Sequence, residues 1–297
     1  MSRYICVDIG GTSIKHGVLN ENAIIEESNQ TKTEAWLGGA EVLDKVKAIG
    51  KQYMEQYENI EGICISTAGM VDPEEGKIVF AGELMPDYTG TCIKKELEKT
   101  LGIPCEVEND VNCAGLAEYI SGAAKESHIM FCATVGTGIG GCAIVDGSVF
   151  HGASNSACEI GYIPMEDSDF QTLGASSILI KKVAGKKRES LDMWDGKKIF
   201  ELAEKGDEVC ISAIKEMCDV LGKGLATICY VLNPDTIVLG GGVMAQKKIL
   251  ENEIIDSLKR YLKPILAEHL QVCFAEYGNE AGMVGALYNF QNKCGRK

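Results

Sequence analysis

"VGTGIGGCAIVDGSV" (residues 135–149) decides how the chain is read. Gly136, Gly138 and Gly141 have the GxGxxG spacing of a dinucleotide-binding turn, but that motif closes a strand and opens a helix. Here the residues after the glycines continue as an alternating strand that ends in a turn, so the stretch reads as a β-hairpin with Gly136, Thr137 and Gly138 at its tip. Such a tip is either a plain connection or a cradle. In a cradle, peptide N–H groups approach a phosphate with no Cβ in the way, and Thr137 offers a hydroxyl.

The same pattern opens the chain. "YICVDIG" reads as a buried strand and "SIKHGVLN" as its hairpin partner, with Asp8 at the strand end and Gly10, Gly11 and Thr12 in the turn. A carboxylate beside a phosphate is repulsive unless a cation intervenes, so Asp8 next to a phosphate-holding turn calls for Mg²⁺, bound directly or through water. A hairpin turn with a capping Asp fits the same residues.

Between the two openings the order reads β-β-α-β-α-β, with Gly102 stopping the second helix and "PCEVEND" as the last strand. After the second opening come helical stretches at "ASSILIKKVAG", "GKKIFELAEKG" and "VCISAIKEMCDVLGKGLATICYVLN". The strand "PDTIVLGGGV", the helix "KKILENEIIDSLKRYLKPIL", the strand "LQVCFAEY" and a last helix complete the chain. Alternating elements with a duplicated start predict two related α/β domains that face each other. A third glycine run, Gly240, Gly241 and Gly242, ends one of these strands; it admits either a ribose or ring close to the backbone, or tight helix–sheet packing.

Length and charge narrow the function. The chain has 297 residues, which suits two domains, and 45% hydrophobic with 24% charged residues, as folded proteins have. A formal charge of −14 repels nucleic-acid phosphate and anionic lipid, which argues against both as partners. The thirteen cysteines are scattered singly through apolar runs without a CxxC pair, which fits a reducing cytoplasm. No apolar run approaches the roughly 20 residues of a membrane-spanning helix.

"CEVENDVNCAGLAEY" (residues 105–119) sets Asn109 and Asp110 where a strand turns into a helix. Asp110 reads as a helix cap or as a proton acceptor, and Asn109 as a turn former or as a ligand for hydroxyls. Glu159 in "SACEIGY" is bracketed by small residues, and the solitary His151 is either a hydrogen-bonded surface residue or a ligand.

Taken in order, these pieces resemble the actin-like ATPase superfamily, and within it the ROK family of sugar kinases and sugar-responsive repressors. "DIGGTSIKHGVL" and "VGTGIGGCAIVDG" resemble the phosphate motifs, "VENDVNCAGLAE" the catalytic segment, "ACEIGY" the sugar signature, "IVLGGGV" the adenosine motif and "GNEAGMVGAL" the closing segment. The resemblance spans nearly the whole chain. It implies an α/β protein of two actin-like (ribonuclease H-like) domains with a ligand cleft between them, residues 1–115 and 116–283, and a C-terminal helix at 284–297 packing back on the first.

It further implies ATP-dependent phosphorylation of a hexose or hexose derivative at the 6-hydroxyl, with Asp110 as general base. Asn109, Glu159, Thr67, Gly69 and Glu83 fall at sugar-contacting positions. Asp8, Gly10, Gly11, Thr12, Gly136, Thr137, Gly138, Gly240, Gly241 and Gly242 fall at nucleotide-binding positions, with Mg²⁺ at Asp8. Many relatives bind a structural zinc through a His and a cysteine run; here Tyr162 and "MEDSDFQTLGASSI" stand there, so no zinc is expected, and the sugar contact of that His is either lost or taken over by Tyr162 or His151. The expected assembly is a homodimer. The resemblance leaves two further classes open, a sugar-sensing regulator and a non-catalytic sugar binder. The chain starts its first phosphate strand at once, without a DNA-binding segment before it, which weighs against the regulator.

Overall fold

The structure is a computed structural model and describes residues 1–83 and 85–295. In chain order it begins with β1 (Arg3–Ile9), β2 (Ser13–Asn20), β3 (Ile25–Lys32), α1 (Gly39–Gln56), β4 (Ile60–Thr67), β5 (Met70–Asp72), β6 (Lys77–Phe80), α2 (Ile93–Leu101), β7 (Cys105–Asn109) and α3 (Asp110–Ile120). It continues with β8 (Ile129–Val135), β9 (Ile139–Val145), β10 (Ser148–Val149), β11 (Pro164–Met165), β12 (Ser168–Asp169), α4 (Phe170–Gly174), α5 (Ser176–Lys187), α6 (Gly196–Glu204) and α7 (Glu208–Leu232). The last elements are β13 (Thr236–Gly240), α8 (Lys247–Tyr261), α9 (Pro264–Ala267), β14 (Gln271–Phe274) and α10 (Ala281–Cys294).

These elements form two compact units. Unit 1 comprises Met1–Gly122, Val149–Ala157 and Asn279–Lys297; unit 2 comprises Ala123–Ser148 and Cys158–Gly278. A division after residue 115 would cut through α3. Helix α10 belongs to unit 1, where Phe290 meets Tyr4 edge-on at 5.4 Å and the Tyr288 hydroxyl donates to Ser121 Oγ at 2.8 Å. Residues 296 and 297 of the expected closing helix lie outside the described residues.

Each unit is built on a five-stranded mixed sheet, and the two orders match strand for strand: β3-β2-β1-β4-β7 and β10-β9-β8-β13-β14. In unit 1, β1 pairs antiparallel with β2 and parallel with β4; in unit 2, β8 pairs antiparallel with β9 and parallel with β13. Both glycine tips are therefore hairpin connections, and the dinucleotide reading of residues 136–141 fails on topology as well as on sequence. The inner strands carry continuous apolar runs because both faces are covered. Ile5, Val7, Ile63 and Val107 are fully buried in unit 1, as are Val183, Ile199 and Ile237 in unit 2. Cys6, Cys64, Cys105 and Cys113 fill core positions.

Two local departures have physical causes. β3 ("IEESNQTK") is a polar edge strand held by its ladder with β2, so it carries no hydrophobic signal. The helix expected to run through "KKILENEIIDSLKRYLKPIL" stops at Tyr261, because Lys263 takes the extended conformation that a following proline favours and Pro264 then starts α9 at its first turn. Among the described residues no helix is long and apolar enough to cross a membrane.

Candidate active site

In unit 1 the parallel strands β1, β4 and β7 end side by side. The register pairs Asp8 with Ser66 and Ser66 with Glu108, so these three side chains share one face of the sheet. Ser66 Oγ donates to Asp8 Oδ1 at 2.7 Å, and Lys15 Nζ lies 3.7 Å from Asp8 Oδ2. Burial raises the Asp8 pKa above the usual carboxylate range, against the opposing pull of Ser66 and Lys15. Gly282 at the start of α10 sits directly against this carboxylate; a Cβ there would collide with it.

The first glycine tip follows at once. Gly10 N–H donates to Ser13 O at 3.0 Å, Thr33 Oγ1 donates to Gly10 O at 2.6 Å, and Thr33 N–H donates to Thr12 O at 3.1 Å. With two carbonyls held by Thr33, the tip presents Gly11 and Thr12 to solvent.

At the end of β7 the chain turns into α3, and Asn109 is the residue that caps it. Its Oδ1 accepts from Val111 N–H at 2.9 Å and from Asn112 N–H at 3.1 Å, satisfying donors that a helix start leaves unpaired. Its Nδ2 donates to Gly69 O at 2.9 Å and to Asp110 Oδ1 at 3.0 Å. Asp110 is the first residue inside the helix, half-buried, where the macrodipole favours negative charge; its Oδ1 also accepts from Val111 N–H at 3.0 Å. Capping thus falls chiefly to the neighbour, and Asp110 Oδ1 is fixed by Asn109 Nδ2 and Val111 N–H.

Three expected sugar contacts of unit 1 fare differently. Gly69 has φ +98°, a conformation that favours glycine, and a Cβ there would lie 2.9 Å from Phe80 O. This backbone is what aims the Gly69 carbonyl at Asn109. Thr67 is completely buried, with its hydroxyl 2.8 Å from that of Tyr88. Glu83 is exposed.

In unit 2 the second tip is tied to α5. Gly136 N–H donates to Gly138 O at 2.9 Å, Ser176 donates to Gly136 O through its N–H at 2.9 Å and its hydroxyl at 2.6 Å, and Ser177 Oγ donates to Thr137 O at 2.7 Å. The carbonyls face the helix while Thr137 is exposed. Gly241 has φ +92° and packs where a Cβ would collide with the Val135 backbone, so the third glycine run abuts the base of the second tip. Gly240 is buried at the end of β13, and the exposed Gly242 opens a 3₁₀ turn, Gly242–Gln246.

Glu159 is exposed just before the 3₁₀ turn Ile160–Tyr162, and its surroundings still raise its pKa by partial desolvation. Tyr162 is exposed as well. His151 lies elsewhere, in unit 1, with its Nε2 2.8 Å from Glu108 Oε2.

Glu108 is the residue that sequence reasoning missed. It is 1% exposed, and its Oε1 accepts from Asn109 N–H at 2.8 Å and from Asn112 Nδ2 at 2.9 Å. A signal existed: Glu106 and Glu108 flank Val107 in β7, and the two-residue spacing places both acids on one face of a buried strand. Glu106 is matched by Lys94 at 2.8 Å and Lys293 at 3.4 Å.

A doubled five-stranded sheet with glycine-tipped hairpins is the actin-like ATPase fold, the fold of solved ROK sugar kinases. The chain belongs to the ROK family, whose profile matches residues 4–293. It is 45% identical to an uncharacterized protein of Clostridium perfringens over 98% of both chains. It is 31% identical to a β-glucoside kinase of Klebsiella pneumoniae over 95% of this chain and 94% of that one. A ROK family glucokinase from Streptomyces griseus, solved in complex with glucose and AMPPNP, matches with a TM-score of 0.84 and 28% identity over 97% of this chain and 98% of its own.

The donor set at Asp8 fits a magnesium ion held through water. One oxygen is taken by Ser66, the other faces Lys15, and the carboxylate is partly shielded, which suits an outer-shell contact to a hydrated cation. Among the described residues no group of three or more His, Cys, Asp or Glu side chains could hold a metal by itself.

Proposed function

We propose that this chain is an ATP-dependent hexose kinase that phosphorylates the 6-hydroxyl of a hexose or hexose derivative. One observation carries the reading: Asn109 caps α3 and at the same time steadies Asp110, a half-buried carboxylate at the helix start. The names of the relatives, glucokinase and β-glucoside kinase, support the same class.

On this reading the sugar hydroxyl attacks the γ-phosphorus, the bond from that phosphorus to the β,γ-bridging oxygen breaks, ADP leaves, and the hydroxyl proton passes to Asp110. Phosphoryl transfer asks the protein mainly to align the nucleophile and offset charge, which a fixed carboxylate and two amide-rich tips can do. Asn109, Thr67, Gly69, Glu83 and Glu159 bind hydroxyls. Gly10, Gly11, Thr12, Gly136, Thr137 and Gly138 receive phosphates, and Gly240, Gly241 and Gly242 lie against the nucleoside. Mg²⁺, when bound near Asp8, neutralises charge on the phosphates. A homodimer in the cytoplasm is the setting we assign, on the frequency of symmetric dimers and the cysteine usage.

The test is ADP release with a panel of glucose, mannose, fructose, N-acetylmannosamine, N-acetylglucosamine and cellobiose. Release that depends on one or more of these sugars is expected. ATP hydrolysis indifferent to every sugar would overturn the proposal.

A further inference from the structure

Glu108 has no role in the proposed function, and neither does His151. Glu108 is almost fully buried, and a carboxylate survives there only when its oxygens are matched by donors. The donors it has are not generic. One is the backbone N–H of Asn109, the residue that caps α3 and holds Asp110. Another is the side chain of Asn112, one turn further along the same helix. The third is His151 Nε2, which carries the hydrogen because a carboxylate oxygen can only accept.

His151 also has an unusual origin. Residues Val149–Ala157 pack with unit 1, although the chain on both sides of them belongs to unit 2. This excursion contains two residues with left-handed backbone, Gly152 and Asn155, and it runs directly into Cys158, also left-handed, and then Glu159. Backbone strain gathers where the surrounding structure must hold a segment in place. The Ala157 N–H donates to His151 O at 3.0 Å, so the excursion closes on itself around the histidine.

We propose that Glu108 is a positioning residue for the base, and that His151 is the anchor that holds it, so that this clasp fixes the start of α3 and thereby the direction of the Asp110 carboxylate. The inference rests on the kinase reading. Removing the imidazole leaves Glu108 Oε2 buried without that donor, and the carboxylate must turn to find another. Its Oε1 contacts to Asn109 and Asn112 then change, and Asp110 moves with them. Displacements of this size near the reacting atoms act on turnover more than on nucleotide binding.

The test compares His151→Ala with His151→Gln, whose side-chain amide can present a donor where Nε2 stood. For His151→Ala, kcat should fall about 10- to 100-fold, while the KM for ATP changes less than about twofold. His151→Gln should restore most of the lost turnover. Independently of turnover, amide resonances of Asn109, Asp110, Val111 and Asn112 should shift in His151→Ala and return in His151→Gln. Unchanged resonances in the Ala variant would overturn the proposal, as would a Gln variant impaired like the Ala variant. A wild type that releases no ADP with any sugar of the panel would sink the kinase reading instead, and the amide shifts would still decide whether the clasp sets the helix start.

Discussion

The two units share one sheet order but differ along one row of residues. In unit 1 the row across β1, β4 and β7 is Asp8, Ser66 and Glu108. In unit 2 the matching row begins with Thr134 on β8, directly opposite Gly240 on β13. Beyond it a Cβ at Gly240 would lie 3.5 Å from the Ala275 side chain and 3.6 Å from that of Thr134. Thus one copy of the motif carries two carboxylates and a hydroxyl where the other carries a hydroxyl, a hydrogen and a methyl. The same backbone has been loaded with charge in one half and cleared of bulk in the other. On the kinase reading the charged row serves the cation and the proton, and the cleared row lets a nucleoside approach the backbone.

The strongest way to break this contrast is to remove the base. Asp110→Ala should lower kcat by roughly 10²–10⁴-fold, with sugar affinity changed only a few-fold in a calorimetric titration. Loss of sugar binding together with turnover would instead assign Asp110 to ground-state binding.

Asp8→Asn attacks the charged row at its cation end. Turnover should fall about 10²-fold and require more Mg²⁺ for saturation. Stability should move the other way. Burial holds the folded-state pKa of Asp8 above its ordinary value of 3.8, so the folded protein binds this proton more tightly than the unfolded chain does. The cost of keeping the group ionised grows as pH rises above 3.8 and persists in full above the folded-state pKa. At neutral pH Asp8→Asn should therefore raise Tm, and the gain should vanish in acid. A Tm that falls at pH 7 would contradict the burial argument.

Gly240→Ala sharpens the cleared row. The new methyl would make only ordinary contacts within the protein, so thermal stability should hardly change. A nucleoside lying against this backbone would lose contact, and the KM for ATP should rise about tenfold, the order of a modest overpacking cost. An unchanged KM would remove Gly240 from the nucleotide site.

Much of this was legible before any coordinates, because the decisive signals were local. Glycine tips between alternating strands, the duplicated opening and the strand-to-helix switch at Asn109 are patterns that short stretches of chain impose by themselves. What escaped depended on partners far apart in sequence. β3 is polar and is placed by its ladder with β2 and by side-chain bonds to residues such as Arg3 and Tyr57, so periodicity is silent about it. The partner of the Thr67 hydroxyl, Tyr88, lies twenty-one residues on and leaves no mark on the sequence around Thr67. Glu108 reads as one acid among many until His151, forty-three residues on, meets it in the interior. The excursion of residues 149–157 into unit 1 leaves no compositional trace at all.

The account turns on the side chain at position 110, and a crystal structure with a hexose accepted in the sugar panel and a non-hydrolysable ATP analogue tests it most directly. An Asp110 carboxylate oxygen should lie within about 2.6–3.2 Å of the sugar O6, with that hydroxyl facing the γ-phosphorus. A carboxylate turned away from both ligands would contradict the mechanism.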